Sequence, residues 1–192
     1  MKIFFDTEFT GLHKNTTLIS IGLISDDNKM FYAEFTDYDE TQVDGWIKKN
    51  VVDNLTLKNE IGLGCYEISD NLTLVRENKF IIREALNDWL QKFDTIEWVS
   101  DVCHYDFVLL VDLICGHALK LPYGKWNSAC HDINQDISEF YKINEIEAFD
   151  KSREDILKEY DVKIEGDKHN SLYDAKVIKS IYNIIRYKGT LV

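Results

Sequence analysis

Met1–Leu12 reads MKIFFDTEFTGL, and the rest of the chain is organised around it. Ile3, Phe4 and Phe5 form an apolar, β-prone run that predicts a buried strand. Asp6 and Glu8 follow, separated by Thr7. Residues two apart in a strand point to one face, so both carboxylates project side by side from the end of a hydrophobic strand. Like charges that close repel, and burying them is costly unless a cation sits between them. A divalent metal is the usual remedy, and oxygen ligands suit magnesium or manganese. The bland alternative is a strand that simply ends, with both acids solvated.

Composition bounds the answer. The 192 residues are 45% hydrophobic and 29% charged, which is ordinary for one globular domain with a sizeable core. We therefore expect a single domain over residues 1–192. No apolar run is long enough to cross a bilayer. Cys65, Cys103, Cys115 and Cys130 have no framework spacing, and no export signal precedes them. They read as reduced thiols in a cytoplasmic protein. Twenty-two basic residues against 34 acidic ones give a net charge of −12. That argues against non-specific binding along duplex DNA, which needs a broad basic face. A nucleic-acid enzyme with a short substrate needs only a local positive site, which bound metals supply.

Along the chain, Thr16–Ser25 and Lys29–Phe35 read as strands joined by the turn Asp26-Asp27-Asn28. With the first strand they make a three-strand antiparallel meander. Trp46–Val52 holds one or two helical turns. Residues 54–79 read as an irregular insertion with room for a small hairpin. Phe80–Phe93 carries Ile81, Ile82, Ala85, Leu86, Trp89, Leu90 and Phe93 on one helical stripe. A strand at Thr95–Ser100 and a helix at Asp106–Leu119 follow. Ala129–Ile133 suits a short strand, Ser152–Tyr160 a helix capped by Ser152, and Asn170–Tyr187 the last helix. The fold class is α/β, a mixed sheet of meander plus parallel strands flanked by helices.

Three further residues complete a chemical constellation. Asp106 opens a helix just after a strand, where the helix dipole favours a carboxylate. Asp101, at the strand's end, competes with it. His169 and Asp174 stand in KHNSLYDAKVI, with His169 at the cap of the last helix and Asp174 one turn in. Four carboxylates balance two divalent cations, which can activate a water and stabilise the leaving oxygen of a phosphodiester. His169 titrates near neutral pH and suits the role of base.

The pattern DTEFTGL, an aspartate opening a helix after a strand, and H-x-x-x-x-D near the C-terminus resembles the DEDDh family of 3′–5′ exonucleases, which has the ribonuclease H-like fold. A tyrosine branch of that superfamily carries Y-x-x-x-D instead; here that position is Asn170. MKIFFDTEFTGL, LISIGLIS, YDFVLL and HNSLYDA are most similar to the exoribonuclease group called RNase AS, or Rv2179c-like. The resemblance spans nearly the whole chain, with departures between Gly124 and Lys168. It implies that Asp6, Glu8 and Asp174 hold one metal, Mg²⁺ or Mn²⁺, and that Asp6 bridges to a second beside Asp106. It also implies that Phe9, Thr10 and Leu12 cradle the 3′-terminal nucleotide of a single-stranded RNA or DNA, and that the enzyme works as a homodimer. Ordinary packing at a strand end is the competing account of those three.

Other readings are weaker. Cys103-His104, Cys115-x-His117 and Cys130-His131 lack the spacing of a zinc knuckle. Gly62-x-Gly64 is not followed by a phosphate-loop lysine. Two alternatives remain beside an exoribonuclease: a DNA exonuclease or short-oligonucleotide phosphodiesterase using the same residues, and a nuclease fold retained as an interaction module.

Overall fold

The computed structural model describes residues 1–58, 65–69 and 71–188. β1 (Lys2–Phe9), β2 (Leu18–Ser25) and β3 (Met30–Phe35) form the expected antiparallel meander. β6 (Ile96–Ser100) runs parallel to β1, and β7 (Trp126–Asp132) runs parallel to β6. The segment read as an irregular insertion with room for a small hairpin contributes two antiparallel strands. β5 (Leu72–Glu77) pairs parallel with β3, and β4 (Cys65–Ser69) pairs antiparallel with β5. The sheet order is β4-β5-β3-β2-β1-β6-β7. Gly62 and Gly64 lie outside the described residues.

Helices cover both faces. α1 (Gly45–Asn50), α2 (Lys79–Leu90) and α3 (His104–Ile114) precede β7; α4 (Ile133–Tyr141), α5 (Glu145–Asp150), α6 (Arg153–Glu159) and α7 (Ser171–Lys188) follow it. The alternation of β1 splits the core in two. Ile3 and Phe5 pack with Leu86 and Trp89 of α2 and Leu110 of α3, while Phe4 packs with Ile156 of α6 and Ile178 and Ile181 of α7. The helix expected to run to Leu119 stops at Ile114, and Gly116 follows in a left-handed conformation at φ 71°. α4 and α5 escaped the sequence reading because α4 is short and rich in Asn, Asp and Ser, which favour caps and turns over helix interiors. Ser152 caps α6 as expected, accepting from the Asp155 N–H at 3.1 Å. No helix among the described residues is long and apolar enough to cross a membrane.

Strand register aligns two rows across the face that meets α7. Asp6 pairs with Gly22 and Gly22 with Tyr32; Glu8 pairs with Ser20 and Ser20 with Glu34. The first turn of α7 lies directly on these rows. A Cβ built on Gly22 would stand 2.3 Å from the Leu172 nitrogen and 2.4 Å from its Cα. No side chain fits there, so glycine sets how closely the helix approaches the sheet. Beside it, the buried Ser20 and Ser171 hydroxyls meet at 3.0 Å.

Gly22→Ala should therefore destabilise the fold. Overpacking of this kind costs about 1–3 kcal/mol, and each kcal/mol lowers the Tm of a chain this size by about 2–4 °C. Gly45→Ala is the control, because nothing lies within 4 Å of its added Cβ. Thermal denaturation of the two variants should separate them; equal melting temperatures would refute the close-contact argument.

Candidate active site

β1 pairs with β6 only through Lys2, Ile3 and Phe4. Beyond Phe4 the two strands part and open a cleft at the carboxyl end of β1. The Thr7 N–H, turned away from β2, finds Asp106 instead of a strand: it donates to Asp106 Oδ1 at 2.9 Å, and the Thr7 hydroxyl donates to the same oxygen at 2.6 Å. Asp106 is buried in the first turn of α3. It is thus fixed against β1 from the side opposite α7.

From the other side, α7 brings Asp174. Asn170 caps the helix, its Oδ1 accepting from the Leu172 and Tyr173 N–H groups at 3.2 and 3.1 Å. His169 precedes it in the left-handed region, φ 65°, which few residues other than glycine adopt. That bend points the His169 N–H at Asp174 Oδ2, 2.9 Å away. It also turns the imidazole inward, with Nδ1 3.8 Å from Glu8 Oε1. The ring of Trp46 from α1 meets it edge-on, centroids 5.0 Å apart. Glu8, His169 and Asp174 offer donor atoms within 4.8 Å of one another. Asp6 and Asp174 open with His169 onto one cleft of about 470 Å³.

The electrostatics follow from this crowding. Burial pushes the Asp6 carboxyl well above the usual carboxylate range, and the charges of Asp174, Asp106 and Glu8 push it further. Burial lifts Asp174 to about 7, with Glu8 adding to the effect. Burial lifts Asp106 to about 6 against the two stabilising bonds from Thr7. Glu8 rises with burial, but His169 restrains it. In return, the Glu8 carboxylate facing the His169 imidazole raises it above its ordinary value. Asp101, the competitor of Asp106, lines the same cleft but is held in an ion pair. Arg153 grips it bidentately, Nε to Oδ2 at 2.6 Å and Nη2 to Oδ1 at 2.8 Å. The remaining acids repel one another and present hard oxygens beside an imidazole, a donor set that fits a divalent cation.

The structure brings Asp6, Glu8, Asp174 and His169 together and sets Asp106 against Thr7 behind them. Of the expected substrate segment, Phe9 stacks on Tyr105 at 5.6 Å and Leu12 is 77% exposed. Thr10 is buried, its hydroxyl engaged by Gln42 Oε1 at 2.5 Å and the Thr17 N–H at 2.9 Å. Of the histidines beside cysteines, His131 bonds Asp136 at 2.6 Å and His117 caps the Leu119 N–H at 3.1 Å. Sequence reasoning missed Thr7, Trp46, Arg153, Tyr32 and Glu34. Only Tyr32 and Glu34 carried a signal: they are polar residues two apart in an otherwise apolar strand.

This architecture is that of the ribonuclease H-like nucleases. It superposes on the Mg²⁺- and Mn²⁺-bound form of S. pombe Pop2p with TM-score 0.62 and 17% identity, covering 97% of this chain and 83% of that one. It superposes on a full-length 3′-exonuclease with TM-score 0.61 and 15% identity, covering 98% and 82%. The model of the Rv2179c-like 3′-5′ exoribonuclease domain matches residues 1–185, and the chain belongs to that family. One stretch of 55 residues is 34% identical to the 3′-5′ exoribonuclease Rv2179c of Mycobacterium tuberculosis H37Rv, covering 29% of this chain and 33% of that protein. The match thus spans about a third of the length of that curated relative.

The raised carboxyls set a pH dependence for the metal-free protein. Asp106 and Asp174 titrate near 6 and 7 when folded and near 3.9 when unfolded. Between those values the folded chain binds more protons, so their contribution to stability is full below about pH 4 and lost as pH rises through 6 and 7. Asp174→Asn keeps the acceptor for the His169 N–H and removes the charge. In EDTA it should melt higher than the parent at pH 8, with the gap closing toward pH 4. A gap that is constant or opposite in sign would contradict the repulsion.

Proposed function

We propose that the protein is a metal-dependent 3′–5′ exonuclease, in a single domain, that hydrolyses phosphodiester bonds from the 3′ end of single-stranded RNA. The observation that carries this reading is the convergence of three carboxylates, Asp6, Glu8 and Asp174, with His169 at one end of an open cleft. Family membership supports the reaction and the preference for RNA.

Asp6, Glu8 and Asp174 would hold one cation, with Asp6 shared toward a second beside Asp106, both Mg²⁺ or Mn²⁺. Such cations supply the positive charge that activates a water and steadies the leaving oxygen. His169 takes the proton of the attacking water at Nε2 while Nδ1 stays turned to Glu8, whose charge favours the protonated ring that results. Asp174 holds the His169 backbone in its bend. Asp106 is held in turn by Thr7, so the acids on either side of β1 keep their separation. Phe9 and Leu12 offer apolar surface to the terminal base, and the backbone around Thr10 receives the terminal hydroxyl. Cytoplasmic residence and a homodimer belong to the same reading, the latter checked by light scattering.

Degradation of end-labelled RNA and DNA, each with free and blocked 3′ ends, tests the proposal. Mononucleotides should leave the free 3′ end of RNA in Mg²⁺ or Mn²⁺, and EDTA or Asp6→Asn should stop this. His169→Ala should lower kcat by roughly 10²–10⁴-fold while keeping the rise in Tm on adding metal. Internal cleavage, indifference to EDTA, or near-normal turnover of His169→Ala would overturn the assignment.

A further inference from the structure

We propose that Tyr32 is a positioning residue for this site: through Asn170 it orients the bend at His169 and the first turn of α7, which carries Asp174. The proposal rests on the nuclease reading above.

Tyr32 lies on β3, two strands from Asp6, and is 2% exposed. Its hydroxyl donates to Glu34 Oε1 at 2.8 Å and accepts from Asn170 Nδ2 at 3.2 Å. The direction of this relay is fixed chemically. Glu34 Oε1 is an acceptor, taking the Leu57 N–H as well, so the single hydroxyl proton of Tyr32 goes to Glu34. The phenol oxygen is then free only to accept, and it selects the amide nitrogen of Asn170. Asn170 Oδ1 is thereby turned to the Leu172 and Tyr173 N–H groups, the orientation that a helix cap requires. Without this constraint the amide has two orientations of similar shape, and only one of them caps α7.

Glu34 is committed to the arrangement. It is fully buried, and its Oε1 also accepts from the Leu57 N–H at 2.8 Å, while Arg76 Nε stands 3.8 Å from Oε2. Burial and the Glu34 charge push the Tyr32 hydroxyl above its usual range, which keeps it a donor. A carboxylate buried in a sheet is a poor source of stability; here it gives the chain of bonds a direction. The far end of that chain is the strained φ of His169. The His169 N–H bonds to Asp174, and the next residue is Asn170. A cap that flips releases both.

Three variants test this: Tyr32→Phe, Asn170→Ser and the pair. Phenylalanine keeps the buried ring. Serine keeps a cap acceptor but has no amide donor. With RNA substrate and saturating Mg²⁺, well below the Tm, each single variant should lower kcat by roughly 3- to 10-fold, the weight of one net hydrogen bond. KM should stay within about twofold, and the double variant should be no slower than the slower single one, as for two members of one chain. Amide hydrogen exchange without substrate should quicken at His169 and Leu172 in Tyr32→Phe. A merely stabilising Tyr32 would lower Tm and leave kcat unchanged, which overturns the proposal, as would additive effects or a change confined to KM. If the parent enzyme does not degrade RNA, the nuclease reading fails. The exchange measurement still decides the relay, and unchanged exchange rejects it.

Discussion

The site depends on one close approach, that of the first turn of α7 to β2 at Gly22. Strand pairing puts Asp6 beside Gly22, so the distance between the helix and the sheet there is also the distance between Asp174 and its partners on β1. A side chain at position 22 would lift the helix and part the acids. Around this contact the helix end is held by small polar groups rather than by bulk: Ser171 on Ser20 and Asn170 on Tyr32. The apolar mass of α7, Ile178 and Ile181 among it, packs further along. Packing anchors the helix, and hydrogen bonds aim its first turn.

The fold divides its acids into two populations by supplying partners to some and withholding them from others. Asp101 receives a bidentate guanidinium from Arg153, and Asp106 receives two donors from Thr7. The charges that act most on Asp6 are those of other carboxylates, Asp174 first. The energy of holding these acids together is stored in the folded chain, and a cation bound there would release it. A crowded acidic site of this kind is a strained part of the native state, sustained by two apolar cores.

Much of this was legible in the sequence because the signals were local. The period-2 placement of Asp6 and Glu8, the turn at Asp26-Asp27-Asn28 and the stripe of Phe80–Phe93 each lie within one element. The Asp106 environment was half legible: its place after a strand was visible, but its grip on Thr7 depends on β1 leaving β6 after Phe4. The two strands in residues 65–77 were legible only as room for a small hairpin among scattered polar residues and glycines, since it is the pairing of β5 with β3 that joins them to the sheet. Ser20, Gly22, Tyr32 and Glu34 form a polar patch in two otherwise apolar strands. It is the seat of α7, and nothing within either strand says what covers it.

The contact between Ser20 and Ser171 joins residues 151 positions apart. At ribosomal speeds that separation is roughly 8–30 s of synthesis. During that interval the emerging chain carries Asp6 and Glu8 with neither Asp174 nor His169. The meander has time to form while the chemistry proposed for it remains impossible. On the proposed function, a chain halted before that helix lacks Asp174 and His169 and would be inert toward the RNA crowded around the ribosome that makes it.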